Sequence, residues 1–428
     1  MKKSIFTIII LISCISSIQL SGQNKNTAES LSMGPGYAND IFYSFENGTV
    51  KEVIRSNWDI AFYTPKFSAG VMVNEGNGVT LYTYPAGDTA AWASVDTAGM
   101  ASWQPVYNSP TLWEDGAFNV NATGHPDYGW GTYNMATHNL TGDSIYVIQL
   151  ADGTFKKLWI VGKQSLANIY TIRYADLDGT NEMNEAIEVA PYENKRFYYF
   201  SLANNEELDR EPESDSWDML FTKYMDLTED NEGNWVPYLV TGATSNVDIG
   251  VSKFYPVADD FMDWFEMPLD SARLDSAKNV VGYDWKSFDM GTFSWEIADS
   301  TVFFVQNYTG DVYKLTFESW EGSSTGNFVI KTSLVSLASV DDVNMQTTPV
   351  TAYPNPATSF VNIVSAEETS YESMLIMNQS GQIVYRANMS GIDLKNGYKI
   401  DLNGYAKGMY IIQLNGNNIQ TNQKLLVR

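Results

Sequence analysis

The sequence reads WDIAF at residues 58–62 and WDMLF at residues 217–221, 159 positions further along the chain. A similar tripeptide precedes each stretch, YSF at 43–45 and FSL at 200–202. Each stretch opens with tryptophan and aspartate and continues with apolar residues of the kind found in β-strands. In such a strand the indole ring can fill a core, while the carboxylate faces a turn or a backbone amide. The two stretches therefore predict the same structural strand at two places in the chain.

Two further pairs of stretches repeat in the same order. YGWGTYNMAT at 128–137 matches YDWKSFDMGT at 283–292. A later segment that contains Leu158 matches one that contains Leu315, 157 residues further on. Matched blocks that keep one order and a nearly constant offset indicate an internal duplication.

The repeated regions consist of short runs of alternating apolar and polar residues, separated by Gly, Asn and Asp, which is typical of β-hairpins. Aromatic residues make up 14% of the chain, and this enrichment favours strands over helices. We therefore predict an all-β protein with two homologous β domains in tandem, at residues 30–190 and 191–335. A polar linker at 336–349 and a C-terminal domain at 350–428 complete the predicted organisation.

Composition argues against several classes of function. The chain has 428 residues, enough for two or three domains, and its net charge of −25 repels the phosphates of nucleic acids. One cysteine and two histidines leave no disulfide framework and no cysteine-rich zinc site. The sequence contains no GxSxG, HExxH or phosphate-binding glycine loop, and no two carboxylates stand out as a glycosidase pair. The sequence therefore predicts a protein that is not an enzyme, with a glycan hydrolase as the least favoured alternative.

The N-terminus has the pattern of a secretory signal peptide over residues 1–23. Two lysines precede an apolar run from Ile5 to Leu20, and small residues follow it. The run is too short and too rich in serine to span a bilayer readily, and no other stretch is apolar enough. The mature chain is therefore predicted to lack a transmembrane segment. The lipobox-like LISC at 11–14 leaves open the alternative that Cys14 carries a lipid.

The C-terminal segment carries four motifs in a fixed order. They are YPNP at 353–356, SGQ at 380–382, GMYII at 408–412 and KLLVR at 424–428. The runs and turns between them predict a small Ig-like β-sandwich. In order and position the motifs resemble the type A sorting domain of the type IX secretion system of Bacteroidetes. The resemblance implies export by that machinery, removal of the domain, and release or anchoring at the outer cell surface.

The duplicated blocks resemble a second family. WDIAF, the later W-x-x-Y-N segment and the hairpin that ends in Lys-Leu are similar to the HmuY family of Bacteroidetes. The similarity covers most of the first repeat and is looser in the second. Members of that family are predominantly β, exported and known for haem binding, so the resemblance implies haem as a candidate cofactor.

Few side chains could hold haem iron, which needs His, Met, Cys or Tyr donors. His138 lies beside the block that best matches the haem-binding family. We therefore predict His138 as one axial ligand, with His125 or Met135 on the opposite face. Phe293 stands at the matched position of the second repeat and favours the alternative that this position serves packing. For His125, which lies among turn residues, the alternative is an exposed loop histidine.

These observations lead to three hypotheses of function. The first is a secreted or surface-attached protein that binds a ligand, with haem as the named candidate. The second is a structural or adhesive surface protein that uses the duplicated scaffold to bind glycan or another protein. The third is the glycan hydrolase.

Overall fold

The computed structural model describes residues 27–257, 274–335, 350–365, 371–378, 383–416 and 419–428. Within these ranges the chain is built from β-strands, with only short 3-10 helices between them. The prediction of an all-β protein is therefore confirmed. The predicted signal peptide, the linker and the SGQ motif lie outside the described residues. The chain divides into two compact units, residues 1–337 and 338–428.

The first unit contains 23 strands in its described part, and every strand pair is antiparallel. The strands are β1 Thr27–Ser32, β2 Asn39–Ser44, β3 Gly48–Ile54, β4 Ile60–Tyr63, β5 Val71–Val73, β6 Thr80–Thr83, β7 Pro105–Val106, β8 Gly131–Tyr133, β9 Asn139–Gly142, β10 Tyr146–Gln149, β11 Phe155–Gln164, β12 Ile169–Asp176, β13 Met183–Glu188, β14 Phe197–Ser201, β15 Glu206–Leu208, β16 Met219–Glu229, β17 Trp235–Ser245, β18 Gly250–Phe254, β19 Lys286–Asp289, β20 Ser294–Ile297, β21 Val302–Gln306, β22 Val312–Trp320 and β23 Asn327–Val335. The 3-10 helices are Pro35–Tyr37, Arg55–Asn57, Glu75–Asn77, Thr89–Ser94, Met100–Ser102, Ala117–Asn119 and Ala190–Tyr192. No helix in the described ranges is long and apolar enough to cross a membrane.

The first hydrophobic core of this unit takes its side chains from two sheets. One sheet has the strand order β13-β12-β11-β10-β6-β7, and the β8–β9 hairpin joins it through β11. The other has the order β15-β14-β4-β5. Trp130, Tyr146 and Tyr170 are completely buried between them. Burial of such large rings removes much apolar surface from water and stabilises the packing of the two sheets.

The second hydrophobic core is built in the same way. Its sheets have the orders β1-β23-β22-β21-β18 and β17-β16-β2-β3, and the separate hairpin β19–β20 packs beside them. Trp285 stacks on Phe317, with ring centroids 3.5 Å apart and an interplanar angle of 7°. Trp285 matches Trp130 in the sequence, and both rings are buried in their respective cores.

Strands from the two predicted domains exchange partners. β2, near the start of the chain, pairs with β16, and Tyr43 lies opposite Met219. β14, from the second repeat, pairs with β4, and Tyr198 lies opposite Phe62. These pairings cross the predicted division between residues 190 and 191. Each core therefore contains strands from both sides of that division. The duplication itself stays a prediction.

The strand order repeats between the two cores. β11, β12 and β13 lie side by side in the first core, and β22, β23 and β1 lie side by side in the second. Tyr170 of β12 lies opposite Ile187 of β13, and Phe328 of β23 lies opposite Leu31 of β1. β1 and β2 thus occupy in the second core the places that β13 and β14 occupy in the first.

The matched Trp-Asp positions make equivalent contacts. Asp59 Oδ2 accepts hydrogen bonds from the Ser201 hydroxyl at 3.2 Å and the Ala203 amide at 3.1 Å. Asp218 Oδ2 accepts a hydrogen bond from the Phe45 amide at 2.8 Å. Each carboxylate therefore holds the end of the strand that pairs with its own, as the sequence predicted for a carboxylate facing a backbone amide.

Aromatic side chains fill the layer between the two cores. The Trp113 ring lies 5.8 Å from that of Phe197 and 6.2 Å from that of Trp217. The Trp58 ring packs edge-on against Tyr199 at 5.0 Å. The two tryptophans of the repeated strands therefore face this shared layer.

The second unit is a β-sandwich, as predicted. Its strands are β24 Val350–Tyr353, β25 Phe360–Ser365, β26 Tyr371–Asn378, β27 Ile383–Asn388, β28 Tyr398–Asp401, β29 Gly408–Gly416 and β30 Ile419–Val427, with a 3-10 helix at Leu394–Asn396. They form sheets of order β24-β25-β28 and β27-β26-β29-β30. Val361 and Ile363 of the first sheet share a core with Met374, Ile376 and Ile412 of the second.

Candidate ligand-binding sites

The residues predicted to hold haem lie on the surface of the first core. His138 ends the turn between β8 and β9, with a left-handed backbone (φ 61°). Its amide donates a hydrogen bond to the Asn134 carbonyl at 2.8 Å. His125 is exposed in the loop before β8, and Met135 is 73% exposed at the tip of the hairpin. The three residues therefore belong to one region, but they point into solvent or against neighbouring rings.

Tyrosine side chains contact both histidines. The Tyr133 hydroxyl lies 2.6 Å from His138 Nδ1, and the Tyr128 hydroxyl lies 3.5 Å from His125 Nδ1. The Tyr133 ring centroid is 5.4 Å from that of His125 and 6.1 Å from that of His138. Two imidazoles that share one iron need an open slot between them. Because the Tyr133 ring contacts both, the histidines do not form such a slot as arranged, and haem ligation by this set stays a prediction.

Phe293, the counterpart of His138, does not pack in the second core. It is 75% exposed and has φ 54°, the same left-handed conformation as His138. The interpretation of this position as a packing site was therefore wrong. Both positions therefore lie in turns with a left-handed backbone, a conformation that is uncommon for residues other than glycine.

A long ribbon forms one wall of a surface groove beside the second core. β16 and β17 pair along their whole length, from Met219 with Ser245 to Glu229 with Trp235. Only residues 219–221 of β16 also pair with β2. The rest of the hairpin therefore extends beyond the sheet.

We name this space the Tyr238 groove, and its volume is about 660 Å³. It is lined by Tyr37, Thr228, Glu229, Asp230, Asn231, Val236, Tyr238, Leu239, Val240, Thr241, Tyr283, Lys286, Trp295 and Ser323. Tyr238 is 62% exposed, and the other three aromatic rings are half-buried. The groove therefore combines aromatic surface with hydroxyl, amide, carboxylate and ammonium groups.

Lys286 is held rigidly in the groove. Its Nζ donates hydrogen bonds to the Thr241 carbonyl at 2.5 Å and the Tyr283 carbonyl at 3.2 Å. The ammonium also lies 4.1 Å from the ring centroid of Trp285 and 4.6 Å from that of Trp320. Burial lowers the pKa of Lys286 to about 7. The protonated ammonium has three N–H donors, of which the two carbonyls use two, so a third is present only while the group is protonated.

Two carboxyl groups, those of Glu229 and Asp230, line the groove. The Asp230 carboxylate accepts hydrogen bonds from the Glu232 and Asn234 amides, each at 2.8 Å, and these amide hydrogen bonds lower its pKa. A glycosidase needs a carboxyl group whose pKa is raised so that it can donate a proton. Among the residues that the structure describes, the carboxyl groups with raised pKa are Asp59, Glu75, Glu211 and Asp218, and none of them lines the Tyr238 groove.

The sequence alone did not point to this groove. Its residues come from five separate parts of the chain, and the ribbon, the β19–β20 hairpin and the turn near Tyr37 meet only in the folded protein. The single local signal is the run of Trp235, Val236, Pro237 and Tyr238, where apolar residues stand in a strand that proves to be exposed.

Comparisons with known proteins agree with the second unit and say less about the first. Residues 351–428 match the family described as the secretion system C-terminal sorting domain. The chain is also 35% identical over 140 residues to β-agarase A of Zobellia galactanivorans, a match that covers 32% of this chain and 24% of that protein. The aligned stretch is longer than the sorting domain, so it includes residues outside it. The chain spans about a quarter of the length of this curated relative.

One solved structure is also similar, dimeric latent PorU from Porphyromonas gingivalis. It is 12% identical, the match covers 82% of this chain and 34% of that one, and the TM-score is 0.15. A TM-score this low does not indicate a shared fold.

The sorting domain defines the class of protein. The chain is a cargo of the type IX secretion machinery, and it is exported and then secreted or attached at the outer cell surface. The resemblance of the two β regions to the HmuY family stays a prediction.

Proposed function

We propose that the exported protein binds glycans and that the Tyr238 groove holds the sugar chain. The observation that carries this proposal is the presence of four aromatic rings and several polar side chains along one groove of about 660 Å³. Ligand sites in proteins combine aromatic walls with a few fixed polar groups in this way.

The chemistry of the groove suits a sugar. A pyranose ring has an apolar face of C–H groups, which packs on an aromatic ring, and a rim of hydroxyls, which form hydrogen bonds. Tyr238 and Trp295 offer the faces, while Glu229 and the fixed Lys286 ammonium offer an acceptor and a donor. Because the protein carries a net charge of −25, we expect neutral glycans to bind in preference to strongly acidic ones.

The partial match to β-agarase A supports a relation to glycans. Its name concerns an agar polysaccharide, and the match reaches beyond the sorting domain. Since only 24% of that protein is covered, hydrolysis does not follow from the match.

A glycan array probed with the mature protein without its sorting domain tests the proposal. We expect binding to one group of neutral oligosaccharides, and about fivefold weaker affinity for Tyr238→Ala, because a stacking contact is worth about 1 kcal/mol. Tyr255→Ala is the matched control. Tyr255 is 64% exposed, close to the 62% of Tyr238, but it does not line the groove.

Two results would contradict glycan binding in this groove. One is an array with no hits, and the other is a hit that the two tyrosine variants bind equally well. Release of reducing sugar from a bound glycan would instead identify the hydrolase that the sequence left as an alternative.

A further inference from the structure

One wall of the Tyr238 groove is a strand at the edge of its sheet. In the order β17-β16-β2-β3, β17 pairs with β16 alone within the part of the chain that the structure describes. The pairing runs from Met219 with Ser245 to Glu229 with Trp235 without a shift in register. A strand in this position carries a row of backbone N–H and C=O groups that its own sheet does not use.

Hydrogen bonds at the C-terminal end of β17 show which residues direct their backbone groups away from β16. The Ala243 amide donates to the Gly282 carbonyl at 3.0 Å, and the Gly282 amide donates to the Ala243 carbonyl at 3.1 Å. The Ser245 amide donates to the Lys278 carbonyl at 2.7 Å. Because Gly282 and Lys278 do not belong to β16, the backbone groups of Ala243 and Ser245 point to the outer edge.

The outward orientation recurs at every second residue of an antiparallel strand. It therefore also holds for Thr241, Leu239 and Pro237. Lys286 Nζ agrees with this, since it donates to the Thr241 carbonyl at 2.5 Å from outside the β16–β17 pair. Pro237 agrees as well, because a residue without an N–H costs the ladder no hydrogen bond where that position faces outward.

The outer edge of β17 borders the groove at Leu239 and Thr241. Both residues line the groove, and so does Lys286, which reaches the Thr241 carbonyl. Among the described residues, no hydrogen bond from another strand or side chain reaches the Leu239 amide or carbonyl. These groups are therefore open to a molecule in the groove.

The open groups suit a ligand that both donates and accepts hydrogen bonds. The Leu239 and Thr241 amides are donors, and the Leu239 and Pro237 carbonyls are acceptors. A hydroxyl group serves either kind of partner. From Pro237 to Thr241 the strand rises about 13 Å, which is longer than one sugar ring. A sugar chain that lies along the edge therefore meets it with more than one ring.

An added peptide strand fits this edge less well than a sugar chain does. A peptide strand bonds to both the N–H and the C=O of every second residue of its neighbour. Pro237 has no N–H, and Lys286 already occupies the Thr241 carbonyl. From Pro237 to Thr241, only Leu239 offers both groups, so the ladder would be very short.

We propose that the open edge of β17 is the polar wall of the Tyr238 groove and that it recognises an extended, unbranched stretch of a neutral glycan. Sugar hydroxyls exchange hydrogen bonds with the outward backbone groups of Leu239, Thr241 and Pro237, while a ring packs on Tyr238. The inference rests on the proposed function and adds which part of the glycan is recognised, namely the hydroxyls along one side of consecutive sugars.

Leu239→Pro tests the proposal, because proline deletes the outward N–H and leaves the hydrogen bonds to β16 in place. The protein is residues 24–428, and the probe is the neutral oligosaccharide that binds the wild type most strongly on the glycan array. By calorimetry we expect about fivefold weaker affinity, which corresponds to the loss of one hydrogen bond. Leu239→Ala is the matched control. It keeps the N–H and shortens a side chain on the strand face opposite Tyr238, so its affinity should stay close to that of the wild type.

The outcomes separate this inference from the proposed function. A wild type that binds no glycan contradicts the proposed function and this inference with it. If Tyr238→Ala weakens binding and Leu239→Pro does not, the glycan lies in the groove without using the strand edge, and only this inference is overturned. A crystal structure with a peptide strand bonded to Leu239 in place of a sugar would also overturn it.

A backbone ester at Leu239 decides the case if Leu239→Pro does not fold. The ester removes the same N–H and leaves the side chain unchanged, so the same fivefold loss is expected. An affinity equal to that of the wild type would overturn the proposal.

The length of the probe gives an independent measurement. The single sugar unit of the same oligosaccharide should bind much more weakly than the whole oligosaccharide, because it meets only part of the edge. Equal affinities would show that one ring makes all the contacts and would contradict recognition of an extended stretch.

Discussion

Glu211 shows how the layer between the cores accommodates a carboxyl group. The residue is 1% exposed, and its oxygens accept hydrogen bonds from the Arg196 and Phe197 amides, each at 3.0 Å, and from the Tyr199 hydroxyl at 3.1 Å. Burial nevertheless raises its pKa to about 7, although these hydrogen bonds and the charge of Arg210 act in the opposite direction. The removal of the carboxylate from water is therefore the larger effect.

This raised pKa predicts how stability depends on pH. Between pH 4.5 and 7 the folded protein binds more protons at Glu211 than the unfolded chain does, so this site's stabilising contribution falls as pH rises through that window. The total is about 3 kcal/mol for a shift of this size. Glu211→Gln cannot titrate and should therefore gain stability relative to the wild type as pH rises from 4.5 to 8 in urea unfolding experiments.

Glu46→Gln is the control for this measurement, since Glu46 is exposed in the turn between β2 and β3. Its unfolding free energy should follow that of the wild type at every pH. If the unfolding free energies of Glu211→Gln and the wild type differ by the same amount at every pH from 4.5 to 8, Glu211 does not carry the proton in the folded state.

The haem prediction is also decided at the level of single residues. If His138 ligates haem after Tyr133 moves aside, a titration of the wild type should produce a shifted Soret band with a low-spin spectrum, and His138→Ala should lose it. Met135→Ala is the companion variant, because it removes the other predicted donor on the same hairpin. An unchanged haem spectrum with the wild type would end the hypothesis.

At the level of elements, β1 and β2 complete the second core from the far end of the chain. Leu31, Met33, Ile41, Tyr43 and Phe45 are buried there. The sequence predicted short alternating strands in the repeated regions and the matched Trp-Asp pairs, but it did not single out β1 or β2. The sequence could not show which of the two cores each strand belongs to. Strands of the two repeats have the same alternation of apolar and polar residues, so this pattern fits either core equally well.

The strand order predicts that a circular permutant will fold. In the first core the neighbouring strands β12 and β13 are joined directly by residues 177–182. In the second core β23 and β1 are neighbours in the same way, but they lie at opposite ends of the first unit's sequence. A chain of residues 46–335, followed by a Gly/Ser linker of about six residues and then residues 24–45, should therefore restore both cores. We expect cooperative unfolding at a temperature close to that of residues 24–335 in the original order.

Deletion of residues 24–45 without reattachment is the control. It removes five buried side chains from the second core at a cost of roughly 2–5 kcal/mol each, which exceeds the stability of a typical domain. We expect the deleted chain to lose cooperative unfolding. A permutant that fails to fold while the deletion folds would contradict the strand assignment.

For the whole molecule, the sorting domain and the cargo are separate units with separate tasks. The motifs of the sorting domain are consecutive and local, so the sequence was sufficient to predict both its fold and its role in export. The Tyr238 groove is formed by residues that are far apart in the sequence, from Tyr37 to Ser323. Composition and motif spacing do not show which distant residues come into contact.

Deletion of Thr351–Arg428 should therefore stop export without unfolding the cargo. The deleted protein is expected to accumulate in the periplasm as folded, protease-resistant protein, as measured by cell fractionation and immunoblotting. The full chain with Tyr238→Ala should reach the surface normally, because the groove has no part in export. Surface delivery of the deleted protein would show that the matched domain is not the export signal.

The crystal structure of the first unit bound to the best oligosaccharide from the array tests glycan binding most directly. We predict that a sugar ring lies on the face of Tyr238 or Trp295, with a hydroxyl accepting a hydrogen bond from Lys286 Nζ. A sugar seated elsewhere, for example on the exposed Phe67 ring and the half-buried Tyr133 ring beside the histidines, with the Tyr238 groove empty, would contradict the proposal.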